Sequence, residues 1–337
     1  MPPASPRPDQ VDRAQLERPA RHVARAVARA RLRRVLEASP PAALPLQDEA
    51  LHDFRVALRR LRTWLRAFRG ELEDTVGRGA LRRLRRVAKA TDQARDLEVQ
   101  VAWLSHPTVR LGRLATGAAA FLAERLDAER KVAVEEALEA VADRLPRAAA
   151  RLDRQLKRYE VRVSPDPDRE EPSADAALRG LLGESLAELQ TAMVVVTSAE
   201  QVTEAHQARL AVKHLRYLVE ALAPAHRGSW RAARQLAALQ DALGLLHDRH
   251  LLLARVRNEA ARPRTGDPRP PTQRAFRSLA SALTRSARRE FSAAQRILRG
   301  RAFQRALATI VRLAGAPAPE PPLPAPPTAP LPEVPVG

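Results

Sequence analysis

The residues best placed to do chemistry in this chain are cations spaced along one helix. His52, Arg55, Arg59, Arg62, Arg66 and Arg69 recur at steps of three and four, which puts them in a single stripe on a helical surface. Leu51, Phe54, Leu58, Leu61, Leu65 and Phe68 follow the same steps one residue earlier, about 100° round the helix. The cationic stripe therefore lies beside the face that must pack, not opposite it. A helix that only needed solubility would scatter both signs over its far side. Forked guanidinium groups held at the edge of a packed face suit the oxygens of an anion, phosphate above all. Arg60 adds a flanking cation.

The pattern occurs twice. His206, Arg209, Lys213 and Arg216 match His52, Arg55, Arg59 and Arg62 at constant offset, and Ala205, Ala208, Val212, Leu215 and Val219 keep the apolar register. A matched pair of such blocks points to internal duplication. A second pair lies downstream. Arg95-Asp96 follows His52 by 43 residues, His247-Asp248 follows His206 by 41, and Arg82 and Arg85 parallel Arg231 and Arg234. Joined by a short loop, each downstream helix runs antiparallel to its motif helix, and its cations, Lys89 included, can face the first stripe across a groove. Asp96 and Asp248 would then be the local counter-charges, without which such a cluster repels itself.

The elements that must position these residues are helices. Apolar periodicity predicts helices over about 12–38, 47–70, 80–105 and 108–159, then 174–196, 199–223, 228–261 and 272–313. Asp48 is the expected N-cap of the second helix and Gly70 its end. Gly112, Gly117 and Pro146 are expected to bend or interrupt the fourth, and Gly300 the last. The β-branched run at 194–196 reads as a helix end, not a strand. Four helices per half and no strand define an all-α chain, most simply two antiparallel four-helix bundles related by pseudo-twofold symmetry. The domain organisation is a disordered N-terminus at 1–11, a first bundle at 12–160, a Pro-rich linker at 161–173, a second bundle at 174–313 and a Pro/Ala-rich disordered tail at 314–337.

Composition agrees with an anionic partner. The 337 residues carry a net charge of +19, a surplus that calls for a polyanion or an anionic surface. There are no cysteines, which removes disulfides, thiolate metal sites and cysteine nucleophiles. Aromatic residues are only 3% of the chain, too few for a base-stacking platform. No run of about 18 apolar residues is present, and residues 1–15 lack a secretory apolar core, so no membrane partner and a cytoplasmic location are expected.

The His-x-x-Arg-x-x-x-Arg-Arg-x-Arg block at 52–62, its copy ending Lys213-His214-Leu215-Arg216-Tyr217, the Arg95-Asp96 pair and the Leu-Gly-x-x-His-Asp element at 243–248 resemble the CHAD (conserved histidine α-helical domain) family. The resemblance covers roughly residues 12–313. It implies two four-helix bundles with pseudo-twofold symmetry around a basic central groove, binding of inorganic polyphosphate, and recruitment to polyphosphate granules. Carried over residue by residue, it implies contacts from His52, Arg55, Arg59, Arg60 and Arg62 in the first copy, and from His206, Arg209, Lys213, His214 and Arg216 in the second. Arg82, Arg85, Lys89 and Arg95 would support them on one third helix, and Arg231, Arg234 and His247 on the other. The chain departs from the pattern at His214, where a second Arg is usual, at His247, where the Arg of Arg-Asp would stand, and at Asp92, where the other copy has Gly244. The second copy is therefore expected to be the weaker anion site.

Two other readings share these residues. A basic helical protein could bind nucleic acid non-specifically through its backbone phosphates. An enzyme acting on phosphoanhydrides could use His52 or His206, but it needs an acidic metal-binding cluster or a GxxxxGK loop, and the sequence offers neither. No catalytic residue, metal or cofactor is expected. Trp64 and Tyr217 read as packing residues, and His22, His106, His226 and His250 have no matched partners.

Overall fold

Apolar residues at helical spacing run through almost the whole chain, and each run forms α-helix. The structure, a computed structural model, describes residues 7–40, 48–107, 109–158, 171–261 and 271–315. The outermost N-terminal residues, most of the expected linker, most of the loop at 262–271 and nearly all of the C-terminal tail lie outside the described residues.

The first half holds α1 (Arg13–Leu16), α2 (Ala20–Glu37), α3 (Asp48–Ala67), α4 (Arg69–Leu72), α5 (Arg78–Ala90), α6 (Asp92–Ser105) and α7 (Arg113–Lys157). The second holds α8 (Ala174–Val194), α9 (Val202–Ala221), α10 (Ser229–Ala261), α11 (Gln273–Arg299) and α12 (Arg301–Ala314). Among the described residues there is no strand, only an isolated bridge between Pro19 and Ser173. Val194 closes α8, as the sequence reading has it.

The breaks have local causes. Pro19 separates α1 from α2, because it lacks the N–H a continuing helix needs. Thr91 separates α5 from α6, and its hydroxyl donates to the Ala88 carbonyl at 2.8 Å, a side-chain bond that competes with the helical one. Gly300 divides α11 from α12 as expected. Gly315 ends α12 with φ of 66°, a left-handed conformation that glycine adopts without a Cβ penalty. Four expectations are corrected: the helix expected over 12–38 is divided before Pro19 and the one expected over 80–105 at Thr91, and two more concern glycine and proline. α7 is one helix of 45 residues that runs through both Gly117 and Pro146, and Gly70 lies inside α4 instead of ending α3.

In the first half α2 packs on α3 and α7, α3 on α5, and α5 and α6 on α7, closing a ring. In the second α8 packs on α9, α9 on α10, α10 on α11 and α12, and α12 returns to α8. Between the halves α3 touches α9, α6 touches α10, and α2 touches α8. α7 also lies along α11, where Phe121 and Phe276 meet edge to face at 6.4 Å. Arg125 pairs with Glu259 at 2.9 Å and Arg255 pairs with Glu129, tying α7 to α10. The buried apolar residues form one continuous cluster from Val11 to Val311, so the halves share a core.

Residues 7–11, expected to be disordered, are part of this structure. Val11 is fully buried, and its N–H donates to the Ala221 carbonyl at 2.8 Å. The end of the expected linker is also engaged. Ala20 N–H donates to the Pro172 carbonyl at 2.9 Å, and Ala174 N–H to the Arg18 carbonyl at 2.8 Å. These backbone bonds were invisible in the sequence because side-chain pattern does not encode them.

Candidate anion-binding site

The apolar stripe of α3 is the reason its cations are where they are. Leu51, Phe54, Leu58, Leu61, Leu65 and Phe68 are all at most 5% exposed. Arg55, Arg59 and Arg62, one residue on, are left half-buried at the rim, and Arg66 is exposed. In α9, Ala205, Ala208, Val212, Leu215 and Val219 are likewise buried, and Arg209 and Lys213 are half-buried. Because α3 meets α9, the two rims converge.

Lys213 marks the centre. Burial pushes its pKa down to about 7, and Arg59, Arg209, Arg62 and Arg66 push in the same direction, in that order. The four largest charge effects on it all come from arginines. Guanidinium groups from both copies therefore act together on one ammonium, and its charged form is costly. Arg209 is held down by burial and by Arg59, against the opposing pull of Asp248 and Asp96. Asp96 keeps an open side to water, yet local desolvation raises its pKa, helped by Asp92 and Asp248 and opposed by Arg55 and Arg209. Burial also raises Asp248. Asp96 and Asp248 thus act electrostatically on both copies and on each other, but the carboxylate that pairs with Arg55 is Asp92.

The two copies hold their leading arginine differently. Arg55 Nη1 donates to Thr91 Oγ1 at 2.6 Å, and Nη2 pairs with Asp92 at 3.2 Å. At the matching place in α10 stands Gly244, where a Cβ would sit 3.7 Å from Arg209 Nε. Arg209 therefore lies over bare helix backbone, and no ion pair within 4 Å restrains it among the described residues.

His206, His214 and His247 of the second copy are all pushed toward the neutral form. His206 and His247 stack with ring centroids 4.8 Å apart. Burial, then Arg209 and His206, bring His247 down to about 4, and burial with Arg209 and Lys213 lowers His206. His214 is also lowered to about 4, by burial, Lys213 and Arg66. Its 3.9 Å approach to Glu188 is therefore a weak polar contact, not an ion pair.

Other sequence-predicted residues are placed elsewhere. Arg60 and Arg216 converge on Glu220, at 3.1 and 2.6 Å, and both flank the Tyr217 ring. Arg95 pairs with Glu98 at 2.9 Å and lines a separate cavity. Arg85 acts on Arg62, but Arg82, Lys89 and Arg231 are exposed, with no contact to the cluster among the described residues, and Arg234 stacks on Trp230 at 5.0 Å. His52 is exposed at the start of α3, unlike its stacked counterpart His206. Trp64 and Tyr217 are buried, as their packing role requires. Trp64 Nε1 donates to the Ala24 carbonyl at 3.0 Å beneath the Arg31 guanidinium.

Sequence reasoning missed two participants in this cluster, and one buried cation outside it. Arg66 stands in the stripe but outside the carried-over contacts, though it acts on Lys213, His214 and Arg62. Thr91 has no counterpart in the second copy, so duplication could not flag it. Arg249 follows the His-Asp pair directly, and only its burial (7% exposed) distinguishes it from other arginines.

The arrangement is an all-helical scaffold presenting a duplicated cationic rim whose charges outnumber their counter-ions. Among the described residues no group of three or more His, Asp or Glu is placed to hold a metal ion, and no described helix is long and apolar enough to cross a membrane. The chain belongs to the CHAD domain family, whose model matches residues 26–257. Among solved structures it is similar to PptA from Streptomyces chartreusis, with 24% identity, a TM-score of 0.60, and coverage of 86% of this chain and 99% of that one. It is also similar to the CHAD domain from the plant Ricinus communis, with 18% identity, a TM-score of 0.58, and coverage of 92% and 95%. At these identities the likeness speaks to the fold. Among curated proteins none matches the chain.

Proposed function

We propose that this protein binds inorganic polyphosphate in a groove between α3 and α9, without transforming it. The groove would be the seam between two antiparallel four-helix bundles related by pseudo-twofold symmetry, a reading supported by the like-with-like contacts of the halves. The observation that carries the function is Lys213, on which the four strongest charges are the guanidinium groups of Arg59, Arg209, Arg62 and Arg66. Such a cluster is stabilised by an anion with closely spaced charges. Polyphosphate has about one charge per residue and no bases to read, so spacing and charge suffice. A 20-residue helix is about 30 Å long, enough to follow several phosphates. Membership of the CHAD family supports the ligand class. A cytoplasmic protein gathered on polyphosphate granules follows from that reading.

The test is binding of long-chain polyphosphate at two salt concentrations, with the native chain and with Arg55, Arg59, Arg209 and Lys213 all changed to Glu. Native binding should weaken steeply with salt through counterion release. The quadruple variant should lose most of its affinity and much of its salt slope. Arg66→Glu, at an exposed site, gives a milder loss without risk to folding. Unchanged binding in both variants would end the proposal. Preference for duplex DNA in competition would turn the reading to nucleic acid, and phosphate release from polyphosphate with magnesium would turn it to an enzyme.

A further inference from the structure

An open cavity of about 750 Å³ lies between α6, α10 and α11, closed at one end by the segment before α7. Its lining is of two kinds. Arg95, Arg110, Arg249, Arg285 and Arg289 bring five guanidinium groups against one carboxylate, Glu290. Val99, Val109, Leu111 and Leu245 form an apolar wall beside them, and Leu245 is 41% exposed. Arg249 is the deepest of the cations. It lies 5.2 Å over the Trp103 ring and is 7% exposed, and its buried Nε has no hydrogen-bond partner among the described residues. Burying a guanidinium without an ion pair is costly unless something supplies the missing charge. Glu290 and Asp248 act on it from a distance, and neither makes an ion pair with it within 4 Å among the described residues.

The cavity is separate from the α3/α9 cluster. Arg59, Arg62, Arg209 and Lys213 are not among its lining residues, although Asp248 acts on Arg95 and Arg249 in its wall as well as on Arg209. Its volume falls within the range of small-molecule sites. An inorganic phosphate chain would leave the apolar wall unused. We propose that this cavity is a second anion site that takes a nucleotide, its phosphates on Arg249, Arg285 and Arg289 and its base and sugar against Val99, Val109, Leu111 and Leu245. The proposal stands independently of polyphosphate binding in the groove. Because the wall that would meet the base is apolar, ATP is a suitable probe for the class.

Titrate ATP and inorganic tripolyphosphate, which carry similar charge, into the full-length protein by calorimetry. Use the native chain, Arg285→Ala/Arg289→Ala, Leu245→Ser, and the groove variant Arg59→Glu/Lys213→Glu. Arg285, Arg289 and Leu245 are exposed, so these changes should leave the melting temperature unmoved. The expected result is ATP binding that survives the groove variant, is weakened about tenfold or more by the loss of both arginines, and is weakened severalfold by Leu245→Ser. In the groove variant ATP should bind several times more tightly than tripolyphosphate. The inference is overturned if native protein does not bind ATP, if the groove variant abolishes ATP binding, or if tripolyphosphate binds the groove variant as tightly as ATP does.

Discussion

Arg59 and Lys213 occupy the same position in the two copies of the motif, and Arg59 is the strongest charge acting on Lys213. Equivalent residues from segments more than 150 positions apart thus compete for one region of space. That region is cationic because both copies carry the stripe beside their packing face. It is strained electrostatically because the strongest charges acting on Lys213 are all cationic.

The first prediction concerns pH. Lys213 has a pKa near 7 in the folded protein, against 10.5 for the free side chain. Between these values the unfolded chain binds the extra proton, so Lys213 makes stability rise with pH over that window. Bound polyphosphate favours the ammonium, so affinity is greatest below pH 7 and falls as pH rises above it, by at most about tenfold per unit for one linked proton. Lys213→Met should flatten both profiles. Thermal melts and binding titrations from pH 6 to 9.5 measure them, and identical slopes in variant and native protein would refute the assignment.

Asp92 restrains Arg55 and competes with any anion for it. Asp92 is well exposed, so its ion pair contributes less than about 1 kcal/mol. Asp92→Asn should therefore cost little stability and raise polyphosphate affinity about two- to fivefold at low salt. A decrease in affinity would mean that Asp92 orients Arg55 for the ligand instead of competing with it.

Gly244 tests the other copy. Its Cβ position meets Arg209 Nε at 3.7 Å, an ordinary contact, so Gly244→Ala should be accepted and should stabilise α10 by up to about 1 kcal/mol. Gly244→Asp places a carboxylate where the first copy has one and should weaken polyphosphate binding. Chemical denaturation of the alanine variant decides the first point, and a loss of stability there would contradict the geometry.

Trp64 is the structural anchor of α3. It is fully buried, donates to Ala24 O at 3.0 Å and carries Arg31 above its ring at 4.5 Å. Trp64→Ala should cost about 3–5 kcal/mol, and Trp64→Phe less, although it leaves the Ala24 carbonyl without this partner. Denaturant titration should show the order Ala worse than Phe worse than native. Equal stabilities would mean that α3 is held mainly by its leucines.

Much of this was legible in the sequence, and unevenly. Periodicity is local, so the apolar stripe of α3 and its copy in α9 could be read directly, and all the residues named in those stripes are buried. Glycine and proline marked most helix ends for the same reason, but Pro146 did not interrupt α7. Arg60 and Arg216 show where local reading stops. They continue the motif in sequence, but Glu220 pairs with both of them, and nothing near Arg60 in the chain announces a carboxylate 160 residues away.

By itself, then, the sequence determined the helices, their buried faces, the duplication, and the cationic rim, because each depends on spacing within a few turns. Tertiary structure alone decided which cations stay uncompensated. It brought Arg59 to Lys213, drew Arg60 aside to Glu220, seated Val11 against Ala221, and opened the cavity around Arg249. Electrostatic energy depends on distance and burial, and both are set by which helices meet.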